Sequence, residues 1–397
     1  MPTVSVIMAA YNAAPYLAAA VNSVLAQTER AWELIVVDDG STDDTPAVLA
    51  RYSDDPRFSV IAQANGGPAA ARNRGLEAAQ GTLIALLDAD DVWRPGYLAA
   101  MRAALEADPQ AVAAFAGWQY MDASGAPLPQ VVIAQAEGLA EALSWRNPLV
   151  PSGAVIRRAA LEQCGGFDPA LRGVEDWDLW LRLAAVGGLV VVPQVLVFYR
   201  THAENLSDQV DGMEANQRAL LAKHLGPLPA DPTAGTPLQR RALGALCFNA
   251  ALGYFRRRQT EAARAKVGEA LRAWPAWLDT PEFYYELACA YQPRGRRGRP
   301  DAGAWAEGAA LVRRVVLEGR DPPAEETQRR AWWAQACLVL AQLAPEAGQA
   351  RRQAAEAWRW ADRRHKPAAL RAWLRAALPA PIGDWARRLR RGHTPGA

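Results

Sequence analysis

Residues Leu83 to Asp91 read Leu-Ile-Ala-Leu-Leu-Asp-Ala-Asp-Asp, a strand-length apolar run that stops at three carboxylates. A run without polar alternation suits a parallel strand buried on both faces. In open α/β sheets, ligands bind beyond the carboxyl ends of such strands. Asp88, Asp90 and Asp91 repel one another when held close, and a cation relieves that repulsion. Mg²⁺ and Mn²⁺ suit oxygen ligands and bridge to substrate phosphates. Taken alone, the three residues would serve equally well as a solvated acidic turn.

The surrounding pattern supports the strand. Val4 to Met8 is apolar and runs into Tyr11 and Asn12, and Pro15 to Gln27 has helical spacing. Glu33 to Val37 predicts a second strand ending at Asp38-Asp39-Gly40, with Ser41-Thr42-Asp43 placed to cap a helix from about Asp44 to Tyr52. Phe58 to Ala62, a helix over Ala69 to Ala79, and Thr82 to Leu87 follow in turn. Alternating strands and helices predict βαβ units and a mainly parallel sheet. Three strand ends, at Ala9–Asn12, Asp38–Asp39 and Asp88–Asp91, would then meet at one rim. Beyond Asp91 the pattern mixes, with a helix over Glu175 to Ala185 and a strand run, Leu189 to Tyr199, interrupted by Pro193.

Near residue 206 the character changes. Residues 1–204 carry 13 Arg and no Lys against 23 Asp plus Glu, a net of −10, while residues 205–397 carry 31 Lys plus Arg against 19 Asp plus Glu, a net of +12. The second half is rich in Ala, Leu, Arg and Trp at helical spacing, from Arg240 through Arg363. Two domains are expected, an α/β domain over 1–206 and an all-α domain of helical hairpins over 207–397, tetratricopeptide-like or a bundle without a clean period. The basic half suits an Arg-rich solvated surface, and contact with an anionic membrane or a protein partner stays open; no nucleic-acid role is assigned. The terminal segment Trp373 to Arg391 has the spacing of a membrane-surface or capping helix. Four separated cysteines offer no Cys-x-x-Cys pair, and no signal peptide or membrane span is visible. A cytoplasmic location is expected, with peripheral contact at the inner face of the plasma membrane left open.

At the strand ends, Asp39 can accept a hydrogen bond from a base or a ribose. Tyr11 can stack on a base. Arg72, in the helix after Gly66-Gly67-Pro68, can meet a phosphate or pair internally. The absence of Gly-x-Gly-x-x-Gly after the first strand excludes a Rossmann dehydrogenase. Ala9 to Pro15 also lacks the basic glycine-rich loop expected of a nucleotidyltransferase.

In order along the chain stand Val4-Ser5-Val6-Ile7-Met8-Ala9-Ala10-Tyr11-Asn12, Val36-Val37-Asp38-Asp39-Gly40-Ser41, Ala71-Arg72-Asn73, Leu87-Asp88-Ala89-Asp90-Asp91, Gly165-Gly166-Phe167-Asp168, Glu175-Asp176-Trp177-Asp178 and Tyr199-Arg200-Thr201-His202. As a set they resemble the family 2 glycosyltransferases of the GT-A fold, over roughly residues 2–207. The resemblance implies a nucleotide-sugar site lined by Ala9, Tyr11, Asn12, Asp39, Arg72 and Asp88, with Asp39 reading a pyrimidine, most often the uracil of a UDP-sugar. It implies Mg²⁺ or Mn²⁺ on Asp90, with His202 as a second candidate ligand, and Asp176 as the catalytic base. Glu175 and Asp178 are the alternative bases. Trp93, Trp118, Glu175 and Trp177, with Trp145 beside them, are candidates for the acceptor side. An inverting, metal-dependent transfer to a hydroxyl acceptor follows, in bacterial surface polysaccharide or glycoconjugate synthesis. The acceptor would be a saccharide, a lipid-linked sugar or a protein. The rival is a non-catalytic nucleotide-binding scaffold acting through its helical half.

Overall fold

The computed structural model describes residues 2–202, 210–297, 302–318, 326–360 and Ala368. Two compact units are present, one made of the chain up to Pro229 with Thr236–Leu246, the other of Ala230–Gly235 and the described residues from Cys247 onward.

The first unit is built on one sheet. Its strands are β1 (Val4–Ala10), β2 (Trp32–Asp38), β3 (Phe58–Ala62), β4 (Leu83–Leu86), β5 (Val92–Trp93), β6 (Ala111–Met121), β7 (Pro127–Val132), β8 (Ala154–Arg157) and β9 (Gly188–Arg200). The order is β3-β2-β1-β4-β8-β6-β9-β5, with β7 added to β6. β1, β2, β3 and β4 pair in parallel, Ala10 lying opposite Asp38 and Ile7 opposite Leu86. Central β1, β2 and β4 are buried on both faces, as their unbroken apolar runs require. The later strands depart from the mainly parallel sheet expected from the alternation. β8 runs antiparallel to both β4 and β6, and β5 antiparallel to β9, so the sheet is mixed. The architecture is thus α/β on a mixed sheet, followed by helices.

Helices α1 (Ala14–Leu25), α2 (Thr45–Leu49), α3 (Pro68–Ala78), α4 (Tyr97–Ala107), α5 (Leu139–Leu143), α6 (Arg158–Cys164), α7 (Glu175–Val186) and α8 (Val210–Leu225) complete this unit. α3 lies close on β1 because Gly75 has no side chain there; a Cβ would fall 2.6 Å from Ile7 Cγ2. Asp43 starts two helices, its Oδ1 accepting the Thr45 amide at 2.9 Å and its Oδ2 the Ala14 amide at 3.1 Å. Pro193 does not interrupt β9. The register with β6 slips between Val192 and Val195, and that irregularity takes up the proline, which has no N–H to give to a ladder.

The second unit is helical, as its Ala- and Leu-rich spacing implies. α9 (Pro237–Arg256) supplies its later turns, followed by α10 (Thr260–Ala273), α11 (Pro281–Ala288), α12 (Ala302–Arg313), α13 (Glu326–Leu343) and α14 (Ala347–Trp360). Among its described residues, aromatics pack the helices together. Phe248 lies against Phe283 with ring centroids 4.9 Å apart, and the Trp332 indole donates to Asp279 at 2.8 Å. Among the described residues no helix is long and apolar enough to cross a membrane. The segment Trp373 to Arg391 lies outside the described residues.

Candidate active site

Parallel pairing brings the carboxyl ends of β1, β2 and β4 to one rim, and the strand-end residues interlock there. Asn12 holds a left-handed backbone (φ 49°). Its Oδ1 accepts the Thr42 amide at 2.8 Å while its own amide donates to Ser41 Oγ at 3.0 Å. Asn12 thus ties the end of β1 to the loop after β2. Asp39 is buried, and its carboxylate accepts from Gln63 Nε2 at 2.7 Å and from the Gly66 and Gly67 amides at 2.9 and 2.8 Å. It therefore moulds the turn that leads into α3. Ala9 is half-buried on β1, whereas Tyr11 is 52% exposed, a large ring left facing solvent at the rim.

Arg72 is the centre of the constellation. It is 5% exposed, and its guanidinium donates to Asp88 Oδ1 and to Glu175 Oε1, each at 2.7 Å. Burial opposes its charge, but Asp88 and Glu175 outweigh that cost and hold it firmly protonated. One side chain from α3 thereby joins the end of β4 to the start of α7. The Asp88 carboxyl is pushed above the usual range by burial, with Arg72 working against the shift and Asp90 adding to it.

The three aspartates after β4 have separate roles. Asp91 is 1% exposed and accepts from Ser152 Oγ at 2.6 Å and from the Arg200 amide at 2.9 Å, so it locks the sheet together. Ser152 Oγ in turn accepts the Asp88 amide at 3.0 Å. Asp90 reaches His202, with Oδ2 and Nε2 2.9 Å apart. Tyr16 stacks on the His202 ring with centroids 4.9 Å apart, and the Arg200 guanidinium lies 4.9 Å from the Tyr16 centroid. A carboxylate oxygen and an imidazole nitrogen are both atoms that could help to hold a divalent ion. Among the described residues, no group of three or more His, Cys, Asp or Glu is placed to hold a metal unaided.

Asp176 sits in the first turn of α7 and accepts from Asn147 Nδ2 at 3.0 Å. Burial and the neighbouring Glu175 push its carboxyl up to about 7, against the opposing pull of Arg72. The other two acids of that turn are committed elsewhere. Glu175 is 4% exposed and pinned by Arg72, and its Oε2 has no hydrogen-bond partner. Asp178 is fully buried, with Arg182 on Oδ2 and both His224 and Lys223 on Oδ1, at 2.8 and 2.9 Å. Burial alone would raise Asp178, but His224, Lys223 and Arg182 override it and hold the carboxyl well below the ordinary range.

Asp88, Asp90, Arg72, Glu175, Asp176 and His202, named from the sequence, are linked by this network, and Asn12 and Asp39 shape the neighbouring loops. The aromatic candidates are placed differently. Trp93, Trp118 and Trp177 are 3, 5 and 3% exposed. Trp93 stacks on Tyr97 with centroids 4.1 Å apart and donates to the Ser152 carbonyl, and Trp177 donates to the Leu143 carbonyl. Asn147, Ser152, Tyr16 and the α8 pair Lys223 and His224 went unnamed in the sequence, where nothing local marks them.

A strand-end carboxylate cluster is thus joined through one arginine to an acidic helix start. The sequence model of glycosyl transferase family 2 matches residues 5–165. TuaG of Bacillus subtilis (strain 168), a candidate teichuronic acid biosynthesis glycosyltransferase, is 36% identical over 189 residues, 47% of this chain and 73% of TuaG. The succinoglycan biosynthesis protein ExoO of Rhizobium meliloti (strain 1021) is 35% identical over 242 residues, 56% of this chain and 69% of ExoO. Among solved structures, the Pyrobaculum calidifontis mannosyltransferase PcManGT, in complex with GDP-Man and Mn²⁺, aligns over 81% of this chain and 88% of its own at 21% identity, with a TM-score of 0.49. The chain belongs to glycosyl transferase family 2, and it is an enzyme of that class.

Proposed function

We propose that this glycosyltransferase moves a sugar from a nucleotide-diphosphate donor, a UDP-sugar, to a hydroxyl acceptor with inversion at the anomeric carbon. We assign it to the building of a bacterial surface polysaccharide, supported by relatives named for teichuronic acid and succinoglycan biosynthesis. The observation that carries the reading is the Asp88–Arg72–Glu175 bridge, which sets Asp176 one guanidinium away from the donor-side carboxylates.

In this reading Tyr11, Ala9, Asn12 and Asp39 line the base pocket, and Asp88 faces the ribose. Arg72 acts through the two carboxylates it holds. Asp90 and His202 would hold Mg²⁺ or Mn²⁺, which when bound supplies positive charge against the leaving diphosphate. Asp176 takes the acceptor hydroxyl's proton as that oxygen attacks the face opposite the leaving group, and Asn147 orients the accepting carboxylate. A base poised near neutrality is suited to that transfer.

The test is a thermal-shift screen of UDP-, GDP- and dTDP-sugars, each with and without Mn²⁺, followed by product analysis with the best donor. A ligand at a hundred times its Kd adds about 2.7 kcal/mol of apparent stability. A UDP-sugar should give the largest shift, Mn²⁺ should increase it, and the product should carry the inverted configuration. A larger shift with a purine nucleotide would overturn the donor assignment, and a retained anomeric configuration would overturn the mechanism.

A further inference from the structure

The geometry points to Glu175 as a positioning residue for Asp176: Arg72 pins one of its carboxylate oxygens and leaves the other, without a hydrogen-bond partner, beside the base. The inference rests on the assignment of Asp176 as the base. Glu175 is 4% exposed, so its charge is poorly screened by solvent. Its Oε1 is tied to Arg72 at 2.7 Å, and its Oε2 is buried with no hydrogen-bond partner. An unpaired carboxylate oxygen is costly in such a place, and nothing in the packing calls for it. A glutamine of the same shape would keep the Arg72 contact but carry no charge beside the base, an unpaired amide N–H taking the place of the unpaired carboxylate oxygen.

The groups facing Asp176 come from three elements. Glu175 lies next to it in α7, Arg72 reaches across from α3, and Asn147 donates from the loop after α5, with Asp88 beyond Arg72. Arg72 is shared between Asp88 and Glu175, so one positive charge answers three carboxylates, counting Asp176. Glu175 adjoins the base in the chain, and Arg72 fixes its position. Its effect on Asp176 is to make the carboxylate hold a proton more tightly, which is what a base working near neutral pH requires. The direction agrees with the raised Asp176 carboxyl, in which Glu175 follows burial as the second cause.

A double-mutant cycle in stability tests this without any substrate. Asp176→Asn is measured at pH 5 and pH 8, in the wild-type background and again with Glu175→Gln. A carboxyl raised to about 7 in the folded state costs stability progressively as pH climbs from the unfolded value of about 4 to the folded one, so Asp176→Asn should raise Tm more at pH 8 than at pH 5. Without the Glu175 charge that pH-dependent gain should fall by half or more. Glu175→Met removes the same charge and serves if the glutamine variant folds poorly. An equal gain in both backgrounds, or no pH-dependent gain in either, overturns the inference. This measurement stands apart from the transferase reading, which fails or survives on donor turnover. With a donor in hand, Glu175→Gln should move the acidic limb of kcat downward by about one pH unit, the effect of one nearby charge. A residue that merely braced Arg72 would lower kcat and leave that limb where it was.

Discussion

At the scale of single residues, the site depends on which acid in one helical turn is left available. Glu175 is spent on Arg72 and Asp178 on Arg182, His224 and Lys223, which leaves Asp176 with Asn147 and the Trp177 backbone amide on it and no cation bonded to it. Asp176→Asn should therefore lower kcat by about 10²–10⁴, the usual contribution of a general base, while donor affinity measured by calorimetry stays near wild type. Because the working form is the deprotonated one and burial with Glu175 pushes the carboxyl up to about 7, kcat should rise with pH through about 7 and level off above it. A flat profile between pH 5 and 8 would remove Asp176 from that role. Much of this was legible in the sequence, since the strand-end aspartates and the Glu175-Asp176 pair stand in compact motifs. Asn147 and Ser152 were not, because each acts on a carboxylate far away in the chain, 29 residues for Asn147 and 61 for Ser152. No local pattern records such a pairing.

Among the elements, α8 has no strong apolar stripe, and nothing in the sequence marks what it does. Yet its last turn delivers Lys223 and His224 to Asp178 in the first turn of α7, and Lys223 also meets Asp168 at 2.7 Å. Removing the centre of a buried ion cluster costs roughly 3–5 kcal/mol when the partners stay buried. Here the partners are partly exposed and can rehydrate, so Asp178→Asn should cost about 2–3 kcal/mol. The sign with pH follows from the depressed carboxyl. Its stabilisation is present above the unfolded value, near 4, and is lost as pH falls through the folded one. The gap in Tm between wild type and Asp178→Asn should thus be widest near pH 7 and narrow toward pH 3 in a calorimetric series. The strands were easier to read. β1 to β4 announced themselves as apolar runs, whereas two-residue β5 and the antiparallel turn-back of β8 are set by partners elsewhere in the sheet. At the α3–β1 seam, Gly75→Val should lower Tm and donor affinity together, since a Cβ would meet Ile7 and α3 carries Arg72.

For the whole molecule, the change in composition near residue 206 marks where strands give way to helices, but the first unit draws on chain beyond that point. It includes α8 and Thr236–Leu246. A chain ending at residue 206 would lack Lys223 and His224 and leave Asp178 buried with Arg182 alone. Such a truncation should melt below one ending at residue 246, and should lose more turnover than donor affinity, because the damage falls on the helix that carries Asp176. Equal melting of the two truncations would show that α8 adds nothing to the unit.

The same clasp opens a chemical route to the site. The chain has three lysines, at 223, 266 and 366, and Lys223 is the sole one among the residues of the first unit. An amine-selective acylating reagent followed by mass spectrometry would read that one nitrogen as a gauge of whether α8 is docked. Held between Asp168 and Asp178, which keep it protonated, the amine should react more slowly while α8 is docked than after it is released. Once acylated, it can no longer answer the Asp178 charge.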